Sequence, residues 1–173
     1  MIRMAAAPMV IDADALTMLG RSDLKGLLES KHPRLLTPHP GEMQRLISNH
    51  PDWQSMGRRE MTEAFAAAYP ACTLLLKGAR TVIAEHGKPT AFNTTGSPGM
   101  ASGGMGDLLT GVCAALLAQK VSAHSAACLG AWVCGRAAEL ALSRGDSSEQ
   151  SLLATDVASR LGSAFNELQE GVF

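Results

Sequence analysis

Ala101-Ser102-Gly103-Gly104-Met105-Gly106-Asp107 runs straight into Leu108-Leu109-Thr110-Gly111-Val112-Cys113-Ala114-Ala115-Leu116-Leu117-Ala118. Gly103, Gly104 and Gly106 crowd together too closely for a helix interior, because each costs roughly 1 kcal/mol against alanine there. They suit a tight loop whose backbone N–H groups point inward. The apolar run then reads as a buried helix opening at or near Asp107. A glycine-rich loop feeding a helix N-terminus is an anion site, because free N–H groups and about half a positive charge of helix dipole meet at one point. Asp107 has two readings. It is an ordinary N-cap, or, with an anion on those N–H groups, it is a carboxylate placed for chemistry.

Working outward, Met9-Val10-Ile11 is a short β-branched run ending in Asp12-Ala13-Asp14-Ala15-Leu16. An apolar strand with carboxylates at its C-terminal end is how an open α/β sheet presents a site. Asp12 and Asp14 read as orienting the site or as capping the following turn. Alternating along a strand they fall on opposite faces, so at most one faces a site, and the structural role is the favoured reading. Thr17 to Ser30 is helical or mixed, broken at Gly20. Arg34-Leu35-Leu36-Thr37 is a second strand, and Pro38-His39-Pro40-Gly41-Glu42 forces an extended turn after it. A helix follows over Met43 to Ile47, then a polar turn from Asn49 to Gly57. Arg58 to Tyr69 is an amphipathic helix with Met61, Ala64, Phe65 and Ala68 on one face.

Cys72-Thr73-Leu74-Leu75-Leu76 is nearly all apolar, as buried parallel strands are. It ends in Lys77-Gly78-Ala79-Arg80. Thr81 to Glu85 and Thr90 to Asn93 form a hairpin around His86-Gly87-Lys88. Beyond the glycine loop come helices over Asp107–Gln119 and Ser122–Ser143, a polar loop from Gly145 to Ser151, and a last helix over Val157–Gln169 capped at Thr155-Asp156. This alternation predicts an α/β domain with a mostly parallel sheet flanked by helices. The first strand is fully apolar, yet few strands remain to flank it.

A chain of 173 residues suits one domain. It is 46% hydrophobic but only 4% aromatic, so its core is built from Ala, Leu, Val and Met. The net charge of −1, with basic residues scattered, argues against nucleic acid as a partner. Leu108–Ala118 is too short to cross a bilayer, and Ser122–Leu142 carries His124, Arg136 and Glu139, so a membrane partner is not expected either. Met1 to Pro8 lacks the apolar stretch of a secretory leader. Cys72, Cys113, Cys128 and Cys134 show no zinc spacing and no C-x-x-C pair. Buried free thiols in a reducing compartment, the cytoplasm, are the expectation.

Four motifs occur in order: Val10-Ile11-Asp12-Ala13-Asp14-Ala15-Leu16; Leu36-Thr37-Pro38-His39-Pro40-Gly41-Glu42-Met43; Leu76-Lys77-Gly78-Ala79-Arg80-Thr81-Val82-Ile83; and Gly99 through Gly111. Together they make the chain resemble the ADP-dependent NAD(P)H-hydrate dehydratase family, which has a ribokinase-like fold. In many bacteria that family is the C-terminal domain of a bifunctional NAD(P)H-hydrate repair enzyme whose N-terminal domain is an epimerase. The segment from Ala118-Gln119-Lys120 to Leu152-Leu153-Ala154-Thr155-Asp156 is similar to that bifunctional type. The family domain is considerably longer at its N-terminus. Residues 1–173 are therefore expected to form part of one such domain, lacking its N-terminal strands and part of its hydrate-binding wall.

The resemblance implies a hydro-lyase that returns the S-epimer of NAD(P)H hydrate to NAD(P)H. ADP or ATP is the co-substrate, with Mg²⁺. A phosphoryl group activates the hydroxyl and phosphate then leaves. It further implies that Lys77, Gly78, Ala79, Arg80 and Thr81, with Gly106, contact the nucleotide. Gly103, Gly104 and Gly106 cradle the transferring phosphoryl, Asp107 is the catalytic base and meets the hydrate, and His39 also contacts the hydrate. Unaided, Lys77 is equally a strand-end lysine and His39 a turn histidine held between two prolines. Glu42 reads as a helix cap or as an organiser of Mg²⁺. Asn93 is expected near the nucleotide. Ser102 stands where the family has a small hydroxyl residue, and Met105 where many members have serine. The partners implied are NAD(P)H hydrate, ADP, and either a homo-oligomer or an epimerase domain in a longer form. Two alternatives stay open: a ribokinase-like kinase for a small alcohol or vitamin precursor, and a non-catalytic nucleotide-binding fragment.

Overall fold

Strict alternation along the strands gives one sheet two apolar faces, and a helical layer covers each. The computed structural model describes residues 5–22, 24–145 and 147–171. Met1–Met4 of the stretch read for a leader, Asp23 within the expected Thr17–Ser30 segment and Asp146 within the expected Gly145–Ser151 loop lie outside the described residues. Strands β1 (Met9–Ile11), β2 (Arg34–Leu36), β3 (Cys72–Leu76), β4 (Val82–Glu85) and β5 (Ala91–Phe92) lie side by side in that order. The pairs β1–β2 and β2–β3 are parallel, with Ile11 beside Leu36 and Leu36 beside Leu74. The pairs β3–β4 and β4–β5 are antiparallel. All the strands but β4 therefore run one way, as a mostly parallel sheet requires. Strand β1 is an edge: among the described residues it pairs only with β2.

Ile11, Leu36, Cys72, Leu74 and Leu76 face one way. They pack on α1 (Ala13–Gly20), α2 (Lys25–Leu28), α3 (Pro40–Leu46), α4 (Pro51–Gln54) and α5 (Arg58–Ala68) through Leu16, Leu27, Met43, the partly buried Trp53 and Phe65. Val10, Leu35, Leu75 and Ile83 face the other way, onto α6 (Met105–Ala118) and α7 (Ala123–Ser143). Helix α7 is mostly alanine on its inner face. Its far half carries α8 (Ala154–Ala158) and α9 (Leu161–Glu170) through Val133, Ala137, Val157 and Ala164. Arg34, fully buried in β2, donates to Ala5 O at 2.9 Å and Ala7 O at 2.8 Å and so ties the start of the described chain to the sheet.

Several boundaries differ from the sequence expectation, each for a local reason. Strand β1 stops at Ile11 and α1 starts at Ala13, so Asp12 and Asp14 do not alternate along a strand. Asp12 occupies the cap position and Asp14 the exposed first turn. Helix α3 starts at Pro40, whose missing N–H and fixed φ suit a first turn. The polar turn from Asn49 to Gly57 holds the short helix α4. On α5 the buried residues are Thr62, Phe65 and Ala66, whereas Ala68 is exposed. Thr62 can be buried because its hydroxyl donates to Arg58 O at 2.7 Å. Helix α6 opens at Met105, not Asp107. The last helix is broken at Ser159-Arg160, and Asp156 caps the first half by accepting from Leu153 N at 3.0 Å.

All four cysteines are free, with Cys72, Cys113 and Cys134 buried. Burial pushes those three thiols up to about 12, so they are not thiolates near neutral pH. Among the described residues no helix is long and apolar enough to cross a membrane.

Helix α7 passes against the strand-to-loop segment after β5 at Gly135, where a Cβ would collide with Thr95 Oγ1 and lie 2.7 Å from the Thr95 carbonyl carbon. Gly135→Ala is expected to cost about 1–3 kcal/mol through overpacking, read as a lower urea midpoint with an unchanged m-value.

Candidate active site

The C-terminal ends of the three parallel strands meet the N-terminus of α6. Backbone hydrogen bonds stitch those ends together: Thr37 N donates to Ile11 O at 3.1 Å, and Lys77 N to Pro38 O at 2.8 Å. Asp12 leaves β1, His39 leaves β2 and Lys77 leaves β3 at this level, as the strand registers require.

Lys77 reaches across to β1 and donates to Asp12 Oδ1 at 2.9 Å. Asp12 Oδ2 accepts from Thr110 Oγ1 of α6 at 2.7 Å. The two side chains are only 20% and 10% exposed, so the pair is largely out of water. Burial pushes the Asp12 carboxyl up, but hydrogen bonds from Lys77 and Thr110 and the Lys77 charge outweigh it and hold it below the usual carboxylate range. Glu42 Oε2 lies 3.9 Å from the same ammonium. A Cβ on Gly106 would sit 3.3 Å from Lys77 Nζ, so this glycine is what lets the ammonium come close under the first turn of α6.

His39 and Glu42 cap α3 reciprocally. His39 Nδ1 accepts from Gly41 N at 3.0 Å and Glu42 N at 3.4 Å, while Glu42 Oε2 accepts from His39 N at 2.8 Å. A ring nitrogen that accepts two N–H groups carries no proton, so Nε2 is the donor in this geometry. The ring is half exposed, at 51%, and Nε2 is 3.6 Å from Glu42 Oε1. Glu42 is thus the helix cap that one sequence reading proposed.

Gly104, at φ +84°, is the N-cap of α6. Asp107 is two residues inside the helix, exposed, and makes no cap hydrogen bond. This overturns the reading of Asp107 as an N-cap, because the left-handed turn at Gly104 has already started the helix. A carboxylate in the first turn is favoured by the dipole, and this one stays open to solvent. It stands at the head of an apolar groove of about 450 Å³ between α6 and α9, lined by Leu108, Val112, Leu161 and Phe165. Gly103 is exposed beside it.

The turn Lys77–Thr81 leaves the same end of β3. Gly78 has φ +140° and Arg80 φ +55°. Gly78, Ala79 and Arg80 are exposed, and Thr81 Oγ1 donates to Gly78 O at 3.2 Å. Asn93 is engaged structurally: its amide donates to Thr95 O at 3.1 Å and Ala131 O at 3.2 Å. Ser102 donates to Leu152 O at 3.0 Å, which anchors the glycine loop to the chain before α8. Met105 is buried. Among the described residues no group of three or more His, Cys, Asp or Glu could hold a metal ion by itself.

The structure thus brings Lys77, Gly106, Glu42 and His39 into one cluster, with Asp107 next along α6. It adds Thr110 and Arg58, which the sequence reading did not single out. Thr110 was visible in principle, being one helical turn beyond Gly106. Arg58 left a fainter signal, a cation at a helix N-terminus where the dipole disfavours it.

Residues 1–161 match the model of the NAD(P)H-hydrate dehydratase family. The chain belongs to that family. It is 42% identical over 166 residues to the bifunctional NAD(P)H-hydrate repair enzyme of Moorella thermoacetica, covering 95% of this chain and 30% of the relative. It is 37% identical over 134 residues to the ADP-dependent (S)-NAD(P)H-hydrate dehydratase of Neisseria meningitidis, covering 77% of this chain and 45% of that one. Its fold matches the ADP/ATP-dependent NAD(P)H-hydrate dehydratase of Bacillus subtilis, co-crystallised with ATP/Mg²⁺, at a TM-score of 0.78 and 30% identity. That match spans 94% of this chain and 56% of the Bacillus chain. The fold is ribokinase-like, and the chain spans less than half the length of both curated relatives.

Asp12→Asn in this dehydratase-family chain is expected to cost about 1–3 kcal/mol, because Lys77 loses its charged partner. The folded carboxyl lies below its unfolded value of about 3.9. Its contribution is therefore full above that value and is lost as pH falls through the lower folded one. Urea melts from about pH 6 to about pH 2 should show a shallower acid decline in the variant. Parallel declines would contradict the pairing.

Proposed function

We propose that this chain carries out the nucleotide-dependent dehydration of the S-epimer of NAD(P)H hydrate. The observation that carries the reading is the free carboxylate of Asp107 in the first turn of a glycine-capped helix, one residue beyond the glycine under which Lys77 lies. A carboxylate with no capping duty, beside N–H groups and an ammonium suited to a phosphoryl group, is the pairing that phosphoryl transfer to a hydroxyl needs. The names of the Neisseria and Bacillus relatives support ADP or ATP as the co-substrate.

In this scheme Gly78, Ala79, Arg80 and Thr81 receive the nucleotide's phosphates and ribose, with Lys77 and Gly106 beneath them. The amides from Gly103 to Gly106 stabilise charge on the transferring phosphoryl. Asp107 takes the proton of the hydrate hydroxyl as its oxygen bonds to phosphorus and the bond to the nucleoside phosphate breaks. Loss of that phosphate from one ring carbon, with loss of a proton from the adjacent carbon to solvent, then restores the nicotinamide double bond. His39, whose half-exposed ring leaves Nε2 as its donor, hydrogen-bonds the hydrate. The apolar groove below Asp107 offers the hydrate a water-poor wall.

Mg²⁺ bound on nucleotide phosphates needs only one or two protein carboxylates. Glu42 fits that need: it is 8% exposed, near Lys77, and its Oε1 accepts none of the capping N–H groups. The ion would supply charge neutralisation there. The free, buried cysteines support a reducing compartment, the cytoplasm. The bifunctional name of the Moorella relative supports an epimerase activity as a partner in a longer form.

Asp107→Asn tests the reading. A cap would tolerate Asn, whereas loss of a general base is expected to lower the rate of NAD(P)H recovery from hydrate plus ADP by about 10²- to 10⁴-fold. NAD(P)H fluorescence follows the reaction. A variant as active as the wild type removes Asp107 from the mechanism, and a stable phosphorylated alcohol as product points to a kinase instead.

A further inference from the structure

Arg58 is the first residue of α5. A cation there opposes the helix dipole. Its neighbour Arg59 is paired with Glu63 one turn on, but Arg58 turns away from the helix. Its guanidinium reaches the end of β3, where Nη2 donates to Leu76 O at 3.3 Å and Lys77 O at 3.2 Å, and Nη1 donates to Ala79 O at 2.8 Å. Its Nε is buried with no hydrogen-bond partner among the described residues. This side chain is held by the turn, not by its own helix.

The consequence follows from the planar trans peptide, in which each carbonyl points opposite to the next residue's N–H. Four successive carbonyls, from Leu76 to Ala79, are taken by side chains: three by Arg58 and that of Gly78 by Thr81. The next four amide hydrogens are thereby turned the other way. Lys77 N is used by Pro38 O. The amides of Gly78, Ala79 and Arg80 bond to no described residue, and the turn that carries them has positive φ at Gly78 (+140°) and Arg80 (+55°). Successive N–H groups in such a turn form an anion-binding nest. The fit is tight on the other side, since a Cβ on Gly78 would come 2.9 Å from Arg58 Nη2.

We propose that Arg58 is a positioning residue for a nucleotide diphosphate: by holding the carbonyls of Leu76, Lys77 and Ala79 it aims the amides of the Gly78–Arg80 turn at phosphate oxygens. This inference rests on the nucleotide-binding reading above. Arg58 itself touches no ligand in this scheme. It acts through the backbone, and that requires a planar fork. A lysine ammonium in its place keeps the charge but cannot bridge three carbonyls in fixed directions.

The test compares the full chain with Arg58→Lys, Arg58→Met and Gly78→Ala. ADP affinity is measured by calorimetry, and amide shifts of Gly78 and Arg80 by NMR on adding ADP. The wild type is expected to bind ADP with large shifts at those amides. Arg58→Lys, a folded protein by its unchanged far-ultraviolet circular dichroism, is expected to lose tenfold or more in ADP affinity together with those shifts. Gly78→Ala, which both strains the turn at φ +140° and crowds the guanidinium, should weaken ADP at least as much, and adding Arg58→Met to it should cost little more. An Arg58→Lys protein within twofold of the wild type, with the amide shifts intact, overturns the role of Arg58 and leaves the nucleotide site standing. A wild-type chain that binds no ADP overturns both.

Discussion

The Lys77 ammonium, wedged between the Asp12 carboxylate and Gly106, is the constraint on which the site depends. A charge so little exposed is tolerated only when it is paired and hydrogen-bonded. Here the carboxylate follows β1, the lysine follows β3, and a second donor to the carboxylate, the Thr110 hydroxyl, comes from α6. One ion pair therefore fixes the distance between the edge strand, the middle of the sheet and the helix that carries Asp107. Its geometry also explains a glycine inside a helix. Gly106 costs helix stability, and a Cβ there would crowd the ammonium at 3.3 Å.

Around that pair the chain has arranged its polar groups by local rules that also serve a site. His39 and Glu42 cap α3, and in doing so they set a carboxylate beside Lys77 and a half-exposed histidine next to that carboxylate. The left-handed residue Gly104 begins α6 early, and that frees Asp107 from capping. Arg58 restrains the carbonyls of the turn after β3, so its amides stay open. Each device satisfies the backbone on one side and leaves donors or acceptors unused on the side where the parallel strands end, which is where α/β sheets bind ligands.

Much of this was legible in the sequence because it rests on residue types with few alternatives. Glycines at 103, 104 and 106 before an apolar run signal a loop feeding a buried helix. Gly104 does open α6, but Gly106 lies inside it, and one side of the helix, at Asp107, Gly111, Ala114, Ala115 and Ala118, is exposed. Three β-rich runs separated by helical patterns signal a mostly parallel sheet, and the register bears it out. The losses have physical causes. Alanine carries little pattern, so the expected apolar face of α5 lies one step off the buried one, where Thr62 sits with its hydroxyl bonded within the helix. The end of the short strand β1 cannot be delimited by periodicity; Asp12 stands at the cap position of α1, but its carboxylate makes no capping bond and instead meets Lys77, 65 residues along the chain. Arg58 escaped because its partners are backbone carbonyls, which no motif records.

The central claim is that the hydrate's own oxygen attacks phosphorus before it leaves carbon. A hydrate labelled with heavy oxygen at its hydroxyl decides this directly. After turnover by the chain with ADP, mass spectrometry of the products should find the label in inorganic phosphate, matching NAD(P)H mole for mole. Label released as water, with phosphate unlabelled, would contradict phosphoryl activation and leave the Gly103–Asp107 loop without the role given to it here.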